Sequence, residues 1–406
     1  MEYLYYAGGG EDRVLLHPAI YTCAFATPAA ILGFIITRQV IPPGMKQCLS
    51  IPLLLADILV PWYLTSNNKV LDLIGGITTF NIFLRFLEFY WVGPILQGRP
   101  VYTSVHQLHI DFWSCMRTFP KADKETGEIQ RFIKDKKFYH LLPTLMYHMA
   151  VTDVFGTYYA TFTAQDIAQM QKERRLQFFL FFALAVFVLN SAFNVFGTAL
   201  QLFYVIVYEG GAYASEQWRP LMADPIVSNS LDELWSRRWH QLLRSTWLAM
   251  PFRPVRLLGQ RWLAKKTRNP LPLAVMMASL SVFAISGLMH EYLILCNVGW
   301  TMYSGFFIGQ QQLFFSIHGM CVAIEKIIYK ASRRTFPLSY LHGVFVTQVL
   351  QRLWVVAIGY YLFPQFLTGF VHWGVHLDNP FQVWRPFVLD ALHQVSHARD
   401  FCGSLF

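Results

Sequence analysis

Apolar residues gather along this chain into eight runs, near 19–37, 49–64, 70–97, 140–162, 176–208, 271–297, 301–329 and 340–370. About 20 predominantly apolar residues cross a bilayer as a helix, and the runs are of that order. A lipid-exposed backbone must satisfy its own hydrogen bonds, so every span is predicted to be helical. The pattern predicts an all-α polytopic membrane protein with about eight transmembrane helices. Pro52, Asp57 and Pro61 interrupt the short second run, which is expected to be tilted or re-entrant. His140, His148 and Asp153 weaken the fourth, and the fifth is longer than a span requires and is expected to project beyond the bilayer. Between the fifth and sixth runs, Leu231, Leu234, Trp235, Trp239, Leu242 and Leu243 recur at helical spacing and predict an amphipathic helix at the membrane interface.

Composition agrees with the membrane class. Of 406 residues, 54% are hydrophobic and 17% aromatic, and only 14% are charged, against about 25% in soluble domains. Met1 to Arg13 carries Glu2, Glu11 and Asp12 but one basic residue, so it lacks the positive flank of a cleaved signal, and the first run is expected to be retained as a span. Cys23, Cys48, Cys115, Cys296, Cys321 and Cys402 show no C-x-x-C spacing and mostly lie in or near apolar runs, where Cys behaves as a small hydrophobe; neither a disulfide framework nor a metal site is expected. No internal repeat divides the chain, which reads as one integral membrane domain over 1–406 with its chemistry concentrated at about 209–300.

Basic residues near span ends set orientation. They gather in three places: Lys121, Lys124, Arg131, Lys134, Lys136 and Lys137; nine residues within 235–270, where no acid occurs; and Lys326, Lys330, Arg333 and Arg334. All three are expected on the cytosolic side, with both termini lumenal. Lys172, Arg174 and Arg175 then fall in a lumenal turn against the rule, partly offset by Asp166 and Glu173.

Two clusters can carry chemistry. Ser286 and His290 are one turn apart in the sixth run, Gly287 permits close approach of a backbone or ligand, and Glu291 follows. A neutral imidazole in an apolar site is a natural general base, and ionisable groups inside a membrane are costly enough to be functional candidates. The structural alternative is a histidine that hydrogen-bonds a neighbouring helix. The second cluster is Arg237-Arg238-Trp239-His240. Adjacent arginines can grip phosphates through forked hydrogen bonds; the alternative is a basic anchor on an interfacial helix, and the acid-free basic segment can equally hold anionic headgroups or steer an anionic cosubstrate. Arg85 and Glu88 are expected to pair with each other, and Asp57, Asp72 and Asp153 to line a cavity or bind across helices. The remaining histidines show no metal-ligand spacing, and there is no G-x-S-x-G elbow, H-E-x-x-H or phosphate-binding loop.

At these residues the sequence resembles the wax-synthase branch of the membrane-bound O-acyltransferase superfamily. Ser230-Leu-Asp-Glu-Leu-Trp235-Ser-Arg-Arg238-Trp239-His240 is similar to that branch's signature, and Ser286-Gly287-x-x-His290-Glu291 to the superfamily's histidine motif, in the same order. Better-known relatives carry Asn where His240 stands; the His form resembles fungal wax-synthase-domain proteins, many of which acylate terpenoids or related secondary metabolites. The resemblance implies a helical bundle around a buried reaction chamber and transfer of an acyl group from acyl-CoA to the hydroxyl of a lipophilic alcohol. An acetyl group and a terpenoid or meroterpenoid acceptor are favoured, with a fatty-acyl wax or sterol ester synthase as the alternative. It implies His290 as the base, and His240 as a group that orients the acceptor or stabilises the oxyanion. Glu291, Ser286 and Trp239 would support them, and Arg237, Arg238, Lys265 and Lys266 would meet the CoA phosphates. No metal or resident cofactor is required and nothing points to nucleic acid; the endoplasmic reticulum is the expected membrane. A transporter with a His-Glu proton relay is the reading from another class, but repeat symmetry is lacking.

Overall fold

In the computed structural model each of the eight apolar runs forms a helix. The structure describes residues 13–120, 132–335, 341–378, 381–395 and 401–406, with backbone alone over 330–335 and 341–347. Lys121, Lys124 and Arg131, and the side chains of Lys330, Arg333 and Arg334, therefore lie outside the described residues. In chain order the main helices are α1 (Pro18–Thr37), α2 (Pro43–Tyr63), α3 (Lys69–Leu87), α4 (Leu142–Tyr159), α5 (Ala164–Glu173), α6 (Arg175–Glu209), α7 (Arg253–Leu263), α8 (Leu271–Met302), α9 (Gln310–Thr335), α10 (Leu341–Trp373) and α11 (Arg385–Gln394).

The chain is an all-α polytopic membrane protein. Among the described residues six helices are long and apolar enough to cross a membrane: α1, α2, α3 extended to Gln97, α6, α8 extended to Phe307, and α10 over Gln348–Trp373. The other two predicted spans, α4 and α9, are helical but fall short in apolarity, because α4 carries His148 and Asp153, and α9 carries Gln310, Gln311, Gln312 and His318. The second run is one continuous helix despite Pro52 and Pro61. The fifth is a single helix of 35 residues that ends on left-handed Gly210.

Two compact units divide the chain: Met1–His109, Leu243–Leu338 and Tyr361–Val375 form the first, and Ile110–Leu242, Ser339–Tyr360 and His376–Phe406 the second. In the first, α1, α2 and α3 bury Leu32, Ile35, Ile36, Leu54 and Tyr90 in a shared core. Several polar groups inside it are matched, as burial requires. Lys46 donates to the carbonyls of Ile36 (3.2 Å) and Val101 (2.9 Å). Glu88 pairs with Arg85 at 2.7 Å, as the sequence predicts, and also with Arg99. Asp72 accepts from Thr65, Ser66 and Arg13. Not every group is matched: the buried Tyr21 hydroxyl has no hydrogen bond among the described residues, and Asp57 is fully buried with none to either oxygen.

In the second unit, Tyr159, Phe162, Met170, Phe178 and Phe181 pack α4, α5 and α6 together. Thr163 and Asp166 cap α5 reciprocally. Asp153 accepts the Trp384 amide at 2.8 Å, so the acid that weakens the fourth run serves helix-to-chain packing. Lys136–Lys137 pair antiparallel with Ala212–Tyr213, and Lys134 donates to the Glu209 carbonyl at 2.7 Å. The entry to α4 and the exit from α6 thus lie side by side, as two antiparallel passes require.

Candidate active site

His290 lies in α8, in the first unit, with only 7% of its surface exposed. Its Nδ1 is 2.7 Å from the Ser286 carbonyl oxygen. A carbonyl can only accept, so Nδ1 carries a hydrogen, and in the neutral imidazole Nε2 then carries the lone pair. Ser286 therefore acts through its backbone, one helical turn back. Phe315 from α9, with Phe366 and Phe370 from α10, surrounds the imidazole at centroid distances of 4.6, 5.2 and 6.3 Å. These aromatic walls are absent from the sequence reading; their spacing along α10, four residues apart, is its only local trace.

The two residues after Ser286 and His290 fix the neighbouring helix. A Cβ on Gly287 would meet Gln312 Oε1 at 2.7 Å and its Cα at 3.0 Å, so glycine here admits the first turn of α9. Glu291 is buried, and its Oε1 accepts the backbone N–H of Gln312 at 2.9 Å. A carboxylate at a helix N-terminus satisfies an otherwise orphan donor and complements the helix dipole. The Ser-Gly-x-x-His-Glu motif thus combines one chemical group with three devices that hold it.

The Arg237–His240 cluster lies in the second unit. The predicted amphipathic helix over 231–243 is much shorter than its periodicity suggests. One turn, Leu231–Glu233, passes into a π turn, Leu234–Arg238, and the chain leaves the helical region at Trp239. Leu231 and Leu243 are buried in protein instead of lying on a membrane-facing stripe. Ser230 caps the turn by accepting from Glu233 N at 2.9 Å, and the Glu233 carboxylate reaches back to Asn229 N at 2.9 Å. The wide π turn brings residues five apart face to face, and Arg238 Nε donates to Glu233 Oε1 at 2.7 Å. Arg238 also donates to the Ala223 carbonyl at 3.1 Å. Its guanidinium is thereby engaged within the loop. Arg237 is exposed and makes no ion pair among the described residues.

His240 stacks on Phe193 of α6, centroids 4.7 Å apart and planes within 10°, with Trp239 at 5.9 Å. Phe193 belongs to a stripe the sequence reading missed: Asn190, Phe193, Asn194 and Gly197 share one face of α6 at helical spacing. Asn194 both donates to the Met222 carbonyl (2.9 Å) and accepts from its amide (3.3 Å), while Asn190 donates to the Asp224 carboxylate Oδ1 and accepts from the Asp224 amide, at 3.2 Å each. A Cβ on Gly197 would lie 2.9 Å from Leu221. The stripe fixes residues 221–224, which in turn bond to Arg238 and Gln241. Two asparagines four apart in an apolar helix are the signal that marks such a docking face.

Lys265 and Lys266 lie in the first unit, exposed in the turn that follows α7. Ser286, His290 and Glu291 thus belong, with Lys265 and Lys266, to the first unit, and Arg237, Arg238, Trp239 and His240 to the second.

Residues 218–309 match the model of the membrane bound O-acyl transferase family, and every candidate residue falls within them. The chain is 32% identical over 116 residues to a long-chain-alcohol O-fatty-acyltransferase of Simmondsia chinensis, covering 28% of this chain and 29% of that protein. It is 29% identical over 161 residues to probable long-chain-alcohol O-fatty-acyltransferase 2 of Arabidopsis thaliana, covering 38% and 41%. Probable long-chain-alcohol O-fatty-acyltransferase 7 of the same plant is 25% identical over 155 residues, covering 37% and 40%. The chain thus spans less than half the length of the curated relatives it matches.

Proposed function

We propose that the chain is an acyl-CoA:alcohol O-acyltransferase acting on a lipophilic hydroxyl. The observation that carries this reading is the His290 imidazole, held by Ser286 so that Nε2 presents its lone pair among aromatic side chains. Nε2 takes the hydroxyl proton as the alcohol oxygen attacks the thioester carbon. The tetrahedral oxyanion then collapses, the C–S bond breaks, and the CoA thiolate recovers the proton from the imidazolium. Atoms and charges balance with no resident metal or cofactor. His240 is proposed as the hydrogen-bond donor that orients the acceptor or the oxyanion. Arg237 is the arginine of its pair left to meet phosphate.

The first reading of the substrates is an acetyl group and a hydroxyl of a lipophilic secondary metabolite such as a terpenoid or meroterpenoid, supported by His240 standing where better-known relatives carry Asn. The second is a fatty-acyl group and a long-chain alcohol, supported by the names of the Simmondsia and Arabidopsis relatives. Membranes containing the protein, given labelled acetyl-CoA or palmitoyl-CoA with a panel of lipophilic alcohols, separate them. Ester formation with either donor that vanishes in His290→Ala supports acyl transfer. No ester with any pair, from correctly inserted protein, overturns it.

A further inference from the structure

Helix α7 presents an edge that the proposed reaction does not use. Pro254, Gly259 and Leu263 are buried, and a Cβ on Gly259 would sit 3.4 Å from Ala274 of α8, so this side is packed on the span. On the outside, Leu258 and Trp262, one turn apart, are 48% and 54% exposed. Beside them Arg261, Lys265, Lys266 and Arg268 are exposed, and the Lys266 ammonium lies 4.0 Å above the Trp262 ring. No acidic residue occurs between 235 and 270 to neutralise them. α8, a span by length and apolarity, begins at Leu271, only three residues after Arg268. An apolar edge bordered by cations, immediately before a span, matches the two layers of a membrane surface: acyl chains below, phosphates above.

We infer that this edge of α7 and the Lys265–Arg268 turn dock anionic lipid headgroups, with Leu258 and Trp262 seated at the acyl boundary. Lys265 and Lys266 then serve the bilayer and not the cosubstrate. Free phosphates offer the same charge, but they have no use for an exposed Leu-Trp edge.

The test reads fluorescence and is independent of the acyl-transfer reading. The full chain is reconstituted in vesicles of phosphatidylcholine mixed with phosphatidylserine, and either lipid carries brominated acyl chains as the quencher. The difference between wild type and Trp262→Phe isolates the Trp262 signal from that of the other tryptophans. Brominated phosphatidylserine is expected to quench Trp262 several-fold more than brominated phosphatidylcholine at equal mole fraction. That excess should fall in wild type as salt is raised and disappear in Lys265→Gln/Lys266→Gln/Arg268→Gln. Added soluble CoA should leave it unchanged. Equal quenching by the two lipids, or an excess that survives both salt and the triple variant, overturns the inference. Loss of the excess on adding CoA would return the lysines to the cosubstrate and overturn it too.

Discussion

Glu291 Oε1 accepts the backbone N–H of Gln312 at 2.9 Å, so the residue beside His290 is committed to joining α8 to the start of α9. Glu291→Gln keeps a carbonyl acceptor at this point and should cost little stability. Glu291→Ala leaves a partly buried N–H unmatched, a penalty of up to about 1–3 kcal/mol, and should lower the thermal midpoint in detergent. Equal stability of Ala and wild type would remove the anchoring role.

His290→Ala is expected to insert normally and to lose about 10²–10⁴-fold in turnover, the usual contribution of a general base. Turnover within tenfold of wild type, at equal protein level, would make His290 a packing residue among Phe315, Phe366 and Phe370.

His240 and asparagine can both donate a hydrogen bond, but only His can also titrate. If His240 orients the acceptor or oxyanion, His240→Asn should keep a substantial fraction of activity while His240→Ala loses about 10²-fold. Equal inactivity of both, with His290→Ala comparatively active, would transfer the proton step to His240. Because the ring stacks on Phe193, Phe193→Ala should follow His240→Ala in direction and Phe193→Tyr should restore most of the rate.

The loop that carries Arg238 should loosen in acid. Burial alone would raise the Glu233 carboxyl from its ordinary 4.5, but the hydrogen bonds from Asn229 and Arg238 outweigh it and hold the group below that value. A lowered folded-state value means the anion is favoured by folding, so this stabilisation is complete above 4.5 and is lost as pH falls through the lower folded value. Thermal midpoints measured from neutral pH downward should fall below that point in wild type. Glu233→Gln should start lower at neutral pH and lack this part of the slope; parallel curves would remove Glu233 from the acid response.

Asp57 has no hydrogen-bond partner among the described residues although it is fully buried. Replacing an unmatched buried polar group by an apolar one of similar size removes its desolvation cost. Asp57→Leu is therefore expected to raise the thermal midpoint, and a clear fall would show that the carboxyl has a task in the folded protein.

Helix placement was legible because apolar runs of span length leave the backbone few alternatives. The pairing of Arg85 with Glu88 was legible because residues three apart on a helix must face one another. The 231–243 segment misled for a physical reason. Leucines and tryptophans at helical spacing look the same whether the stripe meets lipid or is divided between a π turn and a loop docked on another helix. Arg238 and Glu233 are five apart, a spacing that joins side chains only in the wider turn. The Asn190–Gly197 stripe was missed because its partners, Leu221 to Asp224, lie far along the chain, and local periodicity contains no record of them. At His290 the motif marked a candidate group and Gly287 marked a point of close approach, while the identity of the approaching residue, Gln312, and the anchoring role of Glu291 became evident only with α9 in place.

The asparagines of α6 have a consequence for how the protein is made. Asn190 and Asn194 emerge from the ribosome before residues 222–224 do. Until then two carboxamides stand on an apolar helix without the Met222 and Asp224 groups that later match them, a costly state in hydrocarbon. Docking of the loop ends that state, so the segment bearing Arg237 to His240 completes the insertion of the helix before it. Variants such as Asn194→Leu would relieve the nascent helix and strand the loop, separating efficient membrane entry from a finished fold.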